Sequence, residues 1–313
     1  MFQARGLSYT YPSSRIGIHN VTLEAGPGER IVVMGPNGSG KSTFLELVAT
    51  AIPSQPETLS LFGESKRTAT RALRKRIGVV QDQPVHIETL TGLENARLFS
   101  ELYGISPGET DNTLVDLFAA LGLEEVQNIP VSEYSYGMKR KLLLVEALVH
   151  KPELLIVDEP TLGLDPPSQA ALLTILENYS RNGTCILIAT NDMILAQHLA
   201  TRIVFLCEGE MIAQGSTDDL FAKISGNTRI DIKLKEKIVA DLTLDEFAIT
   251  AMPGRILAES NSGMNSLPRL IEAVLNSGFN IAQIDVRETD LGDVFTYLTG
   301  LDIRDNNEWK MDS

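Results

Sequence analysis

The chain has 313 residues, a formal net charge of −14, 43% hydrophobic residues and 22% charged residues. This length is enough for one large domain and one small domain, each with its own core, and the composition is that of an ordinary globular protein. No apolar run approaches the roughly 20 residues that span a bilayer, and so acidic a surface repels a polyphosphate backbone, which argues against a membrane-spanning chain and against a nucleic-acid partner.

Residues 1–5 lack the apolar stretch of a secretory signal. The two cysteines, Cys185 and Cys207, both lie in apolar, strand-like runs. We therefore expect core thiols in a reducing compartment, and any membrane role is expected to come through a partner.

Residues 2–32 are predicted to form antiparallel strands, with a turn at Pro27-Gly28-Glu29. Tyr11 falls in the loop between the first two strands. Two interpretations of this tyrosine are open at this point: its ring stacks on a purine, or it is a half-exposed surface side chain.

The most specific stretch follows the pattern glycine, four residues, glycine, lysine, then serine or threonine, which is typical of a phosphate-binding loop. An apolar run at 31–34 precedes it and a helical pattern follows it, as the motif requires. Glycines let backbone N–H groups converge on an anion, and the helix N-terminus adds its positive end. Lys41 supplies a positive charge for the β and γ phosphates, and the Ser42 hydroxyl is placed to bind Mg²⁺. The predicted loop comprises Gly35, Pro36, Asn37, Gly38, Ser39, Gly40, Lys41, Ser42 and Thr43.

Further predicted elements follow the loop in chain order. They are an apolar strand, a basic helix face exposed to solvent and a second buried strand, at residues 58–62, 66–76 and 77–80. Pro84 ends the second strand. Apolar spacing predicts helices within 92–128, interrupted by Gly104 and Gly122.

Ser135 and Gly137 stand before an apolar helical run at 142–148. A serine and a glycine at a helix start are consistent with a second anion-binding end or with a simple N-cap. The apolar strand 154–157 then leads into two carboxylates, Asp158 and Glu159.

Ligands of open α/β sheets gather at the carboxyl ends of the strands, so we expect these two carboxylates to lie beside the phosphate loop. Asp158 is predicted to bind Mg²⁺, and Glu159 to orient or deprotonate a water molecule.

A turn at 163–166, a helix at 167–180 and a strand at 185–189 continue the alternation to about residue 224. The best domain boundary is Ser225-Gly226-Asn227. Three parts result: a large α/β domain at 1–224, a small α/β module at 225–300 and a polar tail at 301–313. The scattered histidines lack metal-ligand spacing and are predicted to be surface or cap residues: His19, His86, His150 and His198.

These motifs resemble the nucleotide-binding subunit of an ATP-binding cassette (ABC) transporter, over residues 2–300. The matching segments are the phosphate loop at 35–43, the signature at 134–138, the Walker B strand and glutamate at 154–159, and the D-loop at 163–165. The resemblance implies a phosphate-loop α/β cassette with a mixed-sheet core, an antiparallel β subdomain and a helical subdomain at about 84–150.

ATP and Mg²⁺ are the ligands that the resemblance implies. Tyr11 falls at the position of the adenine-stacking aromatic. Two cassettes would meet head to tail, so that Ser135 and Gly137 of one contact the γ-phosphate bound to the other. The second subunit would be an identical or a different chain.

Residues 288–300 resemble the closing segment of exporter ATPases of the drug, antibiotic and sodium efflux type. In those exporters the transmembrane permease is a separate chain, and the region from about 84 to 103 would dock its cytoplasmic helices. The resemblance implies a cytoplasmic subunit, peripheral on the inner face of the membrane, whose transported substrate is selected by the permease.

The sequence departs from the family pattern at three positions. Asp82 stands where the Q-loop glutamine is expected; it either binds Mg²⁺ itself or a one-residue shift recruits Gln81 or Gln83. Asn191 replaces the switch histidine and offers an uncharged donor to the γ-phosphate. Tyr136 replaces the first signature glycine, at a position that often varies.

With Lys41, Glu159 and Asn191 as the catalytic residues, two hypotheses are open: hydrolysis is slow or partner-dependent, or the subunit is an ordinary active ATPase. Two other functions compete with an exporter subunit. One is a regulatory cassette with little turnover, and the other is a soluble ABC ATPase that does not transport.

We expect Lys41→Ala to weaken ATP binding by about 10- to 100-fold, because it removes a charged hydrogen-bond donor from the phosphates. Titration calorimetry measures the affinity, and Lys66→Ala, from the basic helix face, serves as the control that should leave it unchanged. An unaltered affinity in Lys41→Ala would mean that no phosphate-binding loop exists here.

Overall fold

A computed structural model describes residues 1–12, 17–55, 57–65, 71–83, 85–224, 228–236, 242–260, 266–301 and 303. The chain divides into two compact units, Met1–Ser216 with Ile303–Ser313, and Thr217–Asp302. The predicted boundary at 225–227, Pro84, residues 66–70 of the predicted basic helix and nearly all of the polar tail lie outside the described residues.

The strands of the first unit are, in chain order, β1 (Phe2–Thr10), β2 (Gly17–Ala25), β3 (Arg30–Met34), β4 (Leu59–Leu61), β5 (Glu64–Ser65), β6 (Ile77–Val80), β7 (Leu154–Asp158), β8 (Cys185–Ala189), β9 (Arg202–Cys207) and β10 (Glu210–Gly215). Its helices are α1 (Lys41–Val48), α2 (Arg71–Arg74), α3 (Gly92–Tyr103), α4 (Pro107–Ala120), α5 (Tyr136–Leu148), α6 (Pro166–Arg181) and α7 (Met193–Leu199). Short 3₁₀ turns stand at Glu124–Val126 and Val131–Glu133.

A six-stranded mixed sheet in the order β10-β9-β3-β8-β7-β6 forms the centre of this unit. All pairs are parallel except β9 with β10. The central strands are continuous apolar runs, and all five residues of β8 are buried, because helices cover parallel sheets on both faces. The carboxyl ends of β3, β7 and β8 therefore lie along one edge of the sheet.

A second sheet, β2-β1-β4-β5, is antiparallel and shares its core with the first. Phe2 of β1 meets Phe44 of α1 edge to face, with ring centroids 6.4 Å apart. This contact connects the antiparallel sheet to the helix that follows the phosphate loop.

Helix α5 begins six residues earlier than the predicted apolar run. The Ser135 hydroxyl accepts a hydrogen bond from the Met138 N–H at 3.2 Å and caps the helix at Tyr136. Tyr136 and Gly137 consequently lie in the first turn of α5. The N-cap interpretation of Ser135 is confirmed, while apolar spacing marked only the later turns because the first ones are polar and basic.

The second unit contains β11 (Thr228–Leu234), β12 (Ala248–Met252), β13 (Arg255–Ser260), β14 (Ile281–Glu288), α8 (Thr217–Phe221), α9 (Leu267–Asn276) and α10 (Leu291–Thr299). Its sheet has the order β12-β13-β11-β14 and is antiparallel throughout. The sequence predicts strands at 230–234, 254–258 and 281–286 and helices at 267–275 and 291–298. The structure confirms each of them, whereas β12 was not predicted. This edge strand leaves its residues half-buried or exposed and carries little apolar signal.

No helix among the described residues is long and apolar enough to cross a membrane.

A buried carboxylate holds α10 against β11 and β14. Asp293, 3% exposed, accepts hydrogen bonds from Arg229 at 2.5 Å and from both terminal nitrogens of Arg287 at 2.6 Å. Asp290 caps α10 and completes a capping box with Asp293. Burial alone would raise the pKa of Asp293, but the bonds from Arg287 and the Asp290 N–H more than offset it, so the pKa lies below its ordinary value.

We expect Asp293→Asn to destabilise the second unit by about 2–3 kcal/mol, because two guanidinium groups lose their buried counter-charge. Since the folded-state pKa is lowered, this contribution is complete above the ordinary carboxyl pKa of about 4 and is lost as the pH falls through the lower folded value. Hydrogen exchange of α10 and β11 measures the effect at neutral pH. Asp231→Asn, which removes a more exposed pair with Arg255, is the control and should cost under about 1 kcal/mol. Equal costs for the two variants would contradict the assignment.

Candidate functional site

The predicted phosphate loop connects the end of β3 to the start of α1. Gly38 and Gly40 have φ angles of 78° and 100°, in the left-handed region that glycine adopts without strain. A Cβ at Gly35 would lie 2.0 Å from the Leu206 carbonyl oxygen of β9. The loop therefore packs so closely against the sheet that only glycine fits at its start.

Two polar groups of the loop are buried in its concave side. The Lys41 ammonium donates to the carbonyls of Gly35 at 2.6 Å and Pro36 at 3.1 Å. Burial lowers the pKa of Lys41, and the nearby charges of Glu159 and Asp158 oppose this shift. Among the described residues, the buried Ser39 hydroxyl finds no hydrogen-bond partner. The Lys41 ammonium, bonded to carbonyls of its own loop, and the unpaired Ser39 hydroxyl could both donate to an anionic ligand.

The two predicted carboxylates lie at the end of β7. Glu159 has a φ of 46°, and its N–H donates to the Ala189 carbonyl of β8 at 2.9 Å. The Thr190 hydroxyl donates to the Glu159 carboxylate at 2.9 Å, while the Ser42 hydroxyl bonds the Asp158 carboxylate. Burial raises the pKa of both carboxyl groups. The Asp82 charge adds to the shift at both, and the Asp158 charge adds to it at Glu159. The contact between Asp158 and Ser42 joins β7 directly to the phosphate loop.

Asp82 and Asn191 approach the same edge of the sheet. The Asp82 carboxylate is 52% exposed, lies 4.0 Å from the Arg140 guanidinium and is close enough to raise the pKa of Asp158. The Asn191 side-chain amide donates from Nδ2 to Oδ1 of Asn37 in the phosphate loop at 3.4 Å. Its own side-chain oxygen, Oδ1, is buried without a partner in the described chain. The structure thus places Asp82 near Asp158 and Asn191 beside the phosphate loop.

Tyr11 lies against α1. Its hydroxyl donates to Glu46 at 2.7 Å and accepts from Thr43 at 3.5 Å, and its ring meets Tyr9 edge to face at 5.0 Å. The tyrosine is thus held beside the last residue of the phosphate loop.

The signature residues stand apart from this group. Ser135 caps its own helix, and a Cβ at Gly137 would lie 3.0 Å from the Gly163 carbonyl of the D-loop. Neither Ser135 nor Gly137 hydrogen-bonds the phosphate loop within the described part of the chain. The structure brings together Lys41, Ser42, Asp158, Glu159 and Asn191, and leaves the signature outside.

Arg140 is a site residue that the sequence analysis missed. Only 2% of its surface is exposed, and its guanidinium donates to the Gln81 carbonyl at 2.9 Å, the Asp158 carbonyl at 3.3 Å and the carbonyls of Asp82 and Glu159. It thereby joins α5 to the ends of β6 and β7. An arginine between two lysines resembles a solvated charge run, so only its position two residues before a buried helical run could have indicated burial.

The comparisons with known proteins agree with this geometry. The family model described as ABC transporter matches residues 18–162. The linearmycin resistance ATP-binding protein of Bacillus subtilis is 28% identical, over 97% of this chain and 100% of that protein. A daunorubicin resistance ATP-binding protein of Streptomyces coeruleorubidus is 31% identical, over 87% of each chain. A dimeric ATP-binding cassette, solved in a post-hydrolysis state with ADP and Pi, superposes with a TM-score of 0.63 at 25% identity, over 69% of this chain and 98% of that one.

A phosphate loop after a buried parallel strand, with paired carboxylates ending a strand of the same sheet, defines a phosphate-loop nucleotide-binding cassette. The predicted fold class is confirmed. The chain belongs to the ABC transporter family, among the ATP-binding subunits of exporters.

We expect Arg140→Met to lower ATP turnover about tenfold while ATP affinity stays within about twofold, because the backbone that carries Asp158 and Glu159 loses its anchor. Phosphate release and nucleotide titration measure the two quantities. Lys139→Met is the matched control, since it removes the preceding cation and only a surface pair with Glu88. Unchanged turnover in Arg140→Met would show that the guanidinium has no part in positioning the site.

Proposed function

We propose that this chain hydrolyses Mg²⁺–ATP at a site completed by a second cassette, and that it energises export through a separate transmembrane permease. The observation that carries the proposal is the convergence of Lys41, Ser42, Asp158 and Glu159 at one edge of the parallel sheet, joined by the bond from Ser42 to Asp158. The protein is proposed to lie in the cytoplasm, on the inner face of the membrane, attached through the permease.

ATP would bind with its phosphates in the loop at 35–43. The backbone N–H groups and the Ser39 hydroxyl would contact the phosphates, and the Lys41 ammonium would move from the Gly35 and Pro36 carbonyls to the β and γ phosphates. Tyr11, held at Thr43 by its hydroxyl, would stack its ring on the adenine.

The oxygen donors around the loop fit Mg²⁺. Ser42 and Asp158 would bind the ion, with Asp82 as a further carboxylate on the exposed side. When bound, Mg²⁺ neutralises negative charge on the β and γ phosphate oxygens. The raised pKa of Asp158 reflects burial and the nearby charge of Asp82, and a bound divalent cation would favour the ionised carboxylate.

Glu159 is the proposed general base. Burial raises its pKa, which makes its carboxylate a stronger acceptor for the proton of an attacking water, and the Thr190 hydroxyl fixes one of its oxygens. Asn191 would donate one uncharged hydrogen bond to the γ-phosphate from its place beside Asn37. Because a charged donor stabilises the transition state more strongly, turnover is proposed to be slower than with histidine at this position.

A second cassette would supply the signature residues that contact the γ-phosphate, because one chain does not bring its own signature to its phosphate loop. Ser135 and Gly137 lie at the start of α5, where Gly137 approaches the D-loop and, among the described residues, neither hydrogen-bonds the phosphate loop. In a head-to-tail dimer of two such chains, or of this chain with a different one, they would contact the γ-phosphate held by the partner. The similar cassette solved with ADP and Pi is itself dimeric.

The permease is proposed to dock in a groove beside α3 and α5, which we call the α3–α5 groove. It has a volume of about 330 Å³ and is lined by Val79, Gln81, Val85, Phe99, Tyr103, Leu143, Glu146 and Ala147. Val85 is 68% exposed there, and Ile87 beyond it is also exposed. An apolar concavity of this kind suits the apolar side of a permease helix, and it adjoins the Gln81–Asp82 carbonyls that Arg140 binds.

Steady-state phosphate release tests the proposal. We expect Asn191→His to raise the rate about tenfold or more, and Glu159→Gln to lower it at least about 100-fold with ATP affinity retained. Asn178→His, on the exposed face of α6, is the control and should leave the rate unchanged. A brisk wild-type rate that the histidine does not alter would remove the slow-turnover part of the proposal.

The competing functions give different results. A regulatory cassette would bind ATP without measurable turnover even after Asn191→His. A soluble ABC ATPase would hydrolyse ATP but copurify with no transmembrane protein.

A further inference from the structure

His86 and Glu146 form a buried pair at the α3–α5 groove, which corrects the prediction that the histidines are surface or cap residues. The His86 side chain is 1% exposed, and its Nδ1 lies 3.0 Å from the Glu146 carboxylate oxygen Oε1. Its Nε2 lies 2.9 Å from the Lys139 carbonyl oxygen. Sequence spacing could not show this pair, because its members are 60 residues apart.

Proton counting shows what the pair presents to its surroundings. A carbonyl can only accept, so Nε2 carries a proton and donates it to Lys139. One further proton lies between Nδ1 and Oε1, giving either imidazolium with carboxylate or neutral imidazole with carboxylic acid. In both arrangements the other oxygen of Glu146, Oε2, is a hydrogen-bond acceptor.

Oε2 of Glu146 is buried, and it has no hydrogen-bond partner among the residues that the structure describes. The glutamate lines the α3–α5 groove, beside apolar residues such as Val85, Phe99 and Leu143. An acceptor left unpaired in such surroundings is unfavourable, so a docked surface that supplies a donor is favoured over a purely apolar one.

Two cations of α5, Lys139 and Arg140, are already engaged. Lys139 pairs with Glu88 at 2.6 Å, and Arg140 binds the four carbonyls described above. A donor for Oε2 from outside the chain would therefore not compete with either of them. A cation is the favoured donor, because it also stabilises the imidazolium–carboxylate arrangement and complements a chain with a net charge of −14.

We propose that Glu146 recognises an arginine or lysine of the permease helix that docks in the α3–α5 groove, whose apolar side chains contact Val85, Phe99 and Leu143. This inference rests on the proposed function and adds to it the chemistry of the partner. The helix is amphipathic, with apolar residues against the groove and one basic residue directed at the floor. His86 is a positioning residue, since it holds one oxygen of Glu146 and leaves the other for the partner.

The experiment uses the full chain and, as probe, a multi-helix membrane protein identified among the genes adjacent to the one for this chain and purified in detergent. We expect Glu146→Gln to weaken their association about tenfold, because the amide keeps an acceptor oxygen but not the charge, and Glu146→Leu to weaken it about 100-fold. Replacing one arginine or lysine in a cytoplasmic loop of the probe should give the same loss, with no further loss when combined with Glu146→Gln. Glu88→Gln, an exposed acid of the same segment, is the matched control and should change the affinity less than twofold.

Other outcomes overturn the inference in different ways. If association were unchanged in Glu146→Gln and Glu146→Leu but lost in Val85→Asp, the partner would dock in the groove without recognition by Glu146. Unchanged association in Val85→Asp would place docking elsewhere. Cross-linking of Val85→Cys to a second copy would make the occupant another cassette.

Nucleotide titration and thermal unfolding of each variant show whether the site and fold are intact. Failure of the wild-type chain to bind the probe, with ATP turnover intact, would remove the transport proposal as well.

Discussion

The site depends on a guanidinium that is removed from water. Arg140 reaches from α5 to four backbone carbonyls at the ends of β6 and β7, so that the segment after each strand is fixed relative to the signature helix. A buried cation without such acceptors would be strongly unfavourable. The guanidinium donates to these carbonyls, so the backbone segments that carry Asp82, Asp158 and Glu159 are fixed relative to one another.

The same edge of the sheet concentrates negative charge. Asp158 and Glu159 are partly removed from solvent, and burial together with the nearby charge of Asp82 raises the pKa of both. Lys41 and Arg140 are nearby cations, and burial lowers the pKa of Lys41. Hydrogen bonds from Ser42 and Thr190 oppose the rise in the carboxyl pKa values, and the site gains most from a ligand that brings a divalent cation with phosphate.

Helix α5 connects the three surfaces on which the proposed function depends. Its capped start at Ser135 presents the signature, Arg140 one turn later binds the ends of β6 and β7, and Glu146 two turns further reaches the α3–α5 groove. The helix is rigid and buried over Leu142–Leu148, so a partner docked in the groove and a partner cassette at the signature would contact opposite ends of one element.

Residues close in sequence determined what the sequence by itself could show: the phosphate loop, the buried strands at 77–80, 154–157 and 185–189, and the carboxylates that follow β7. Local periodicity and glycine spacing suffice for these, because the required conformation and burial are set within a few residues. Tertiary structure alone decided the antiparallel order of the second unit, the burial of Arg140 and His86 and the approach of Asn191 to Asn37. The contacts of Arg140, His86 and Asn191 join residues 58 to 154 positions apart. The long-range partner of a charged or amide side chain is determined only when the sheets and helices pack.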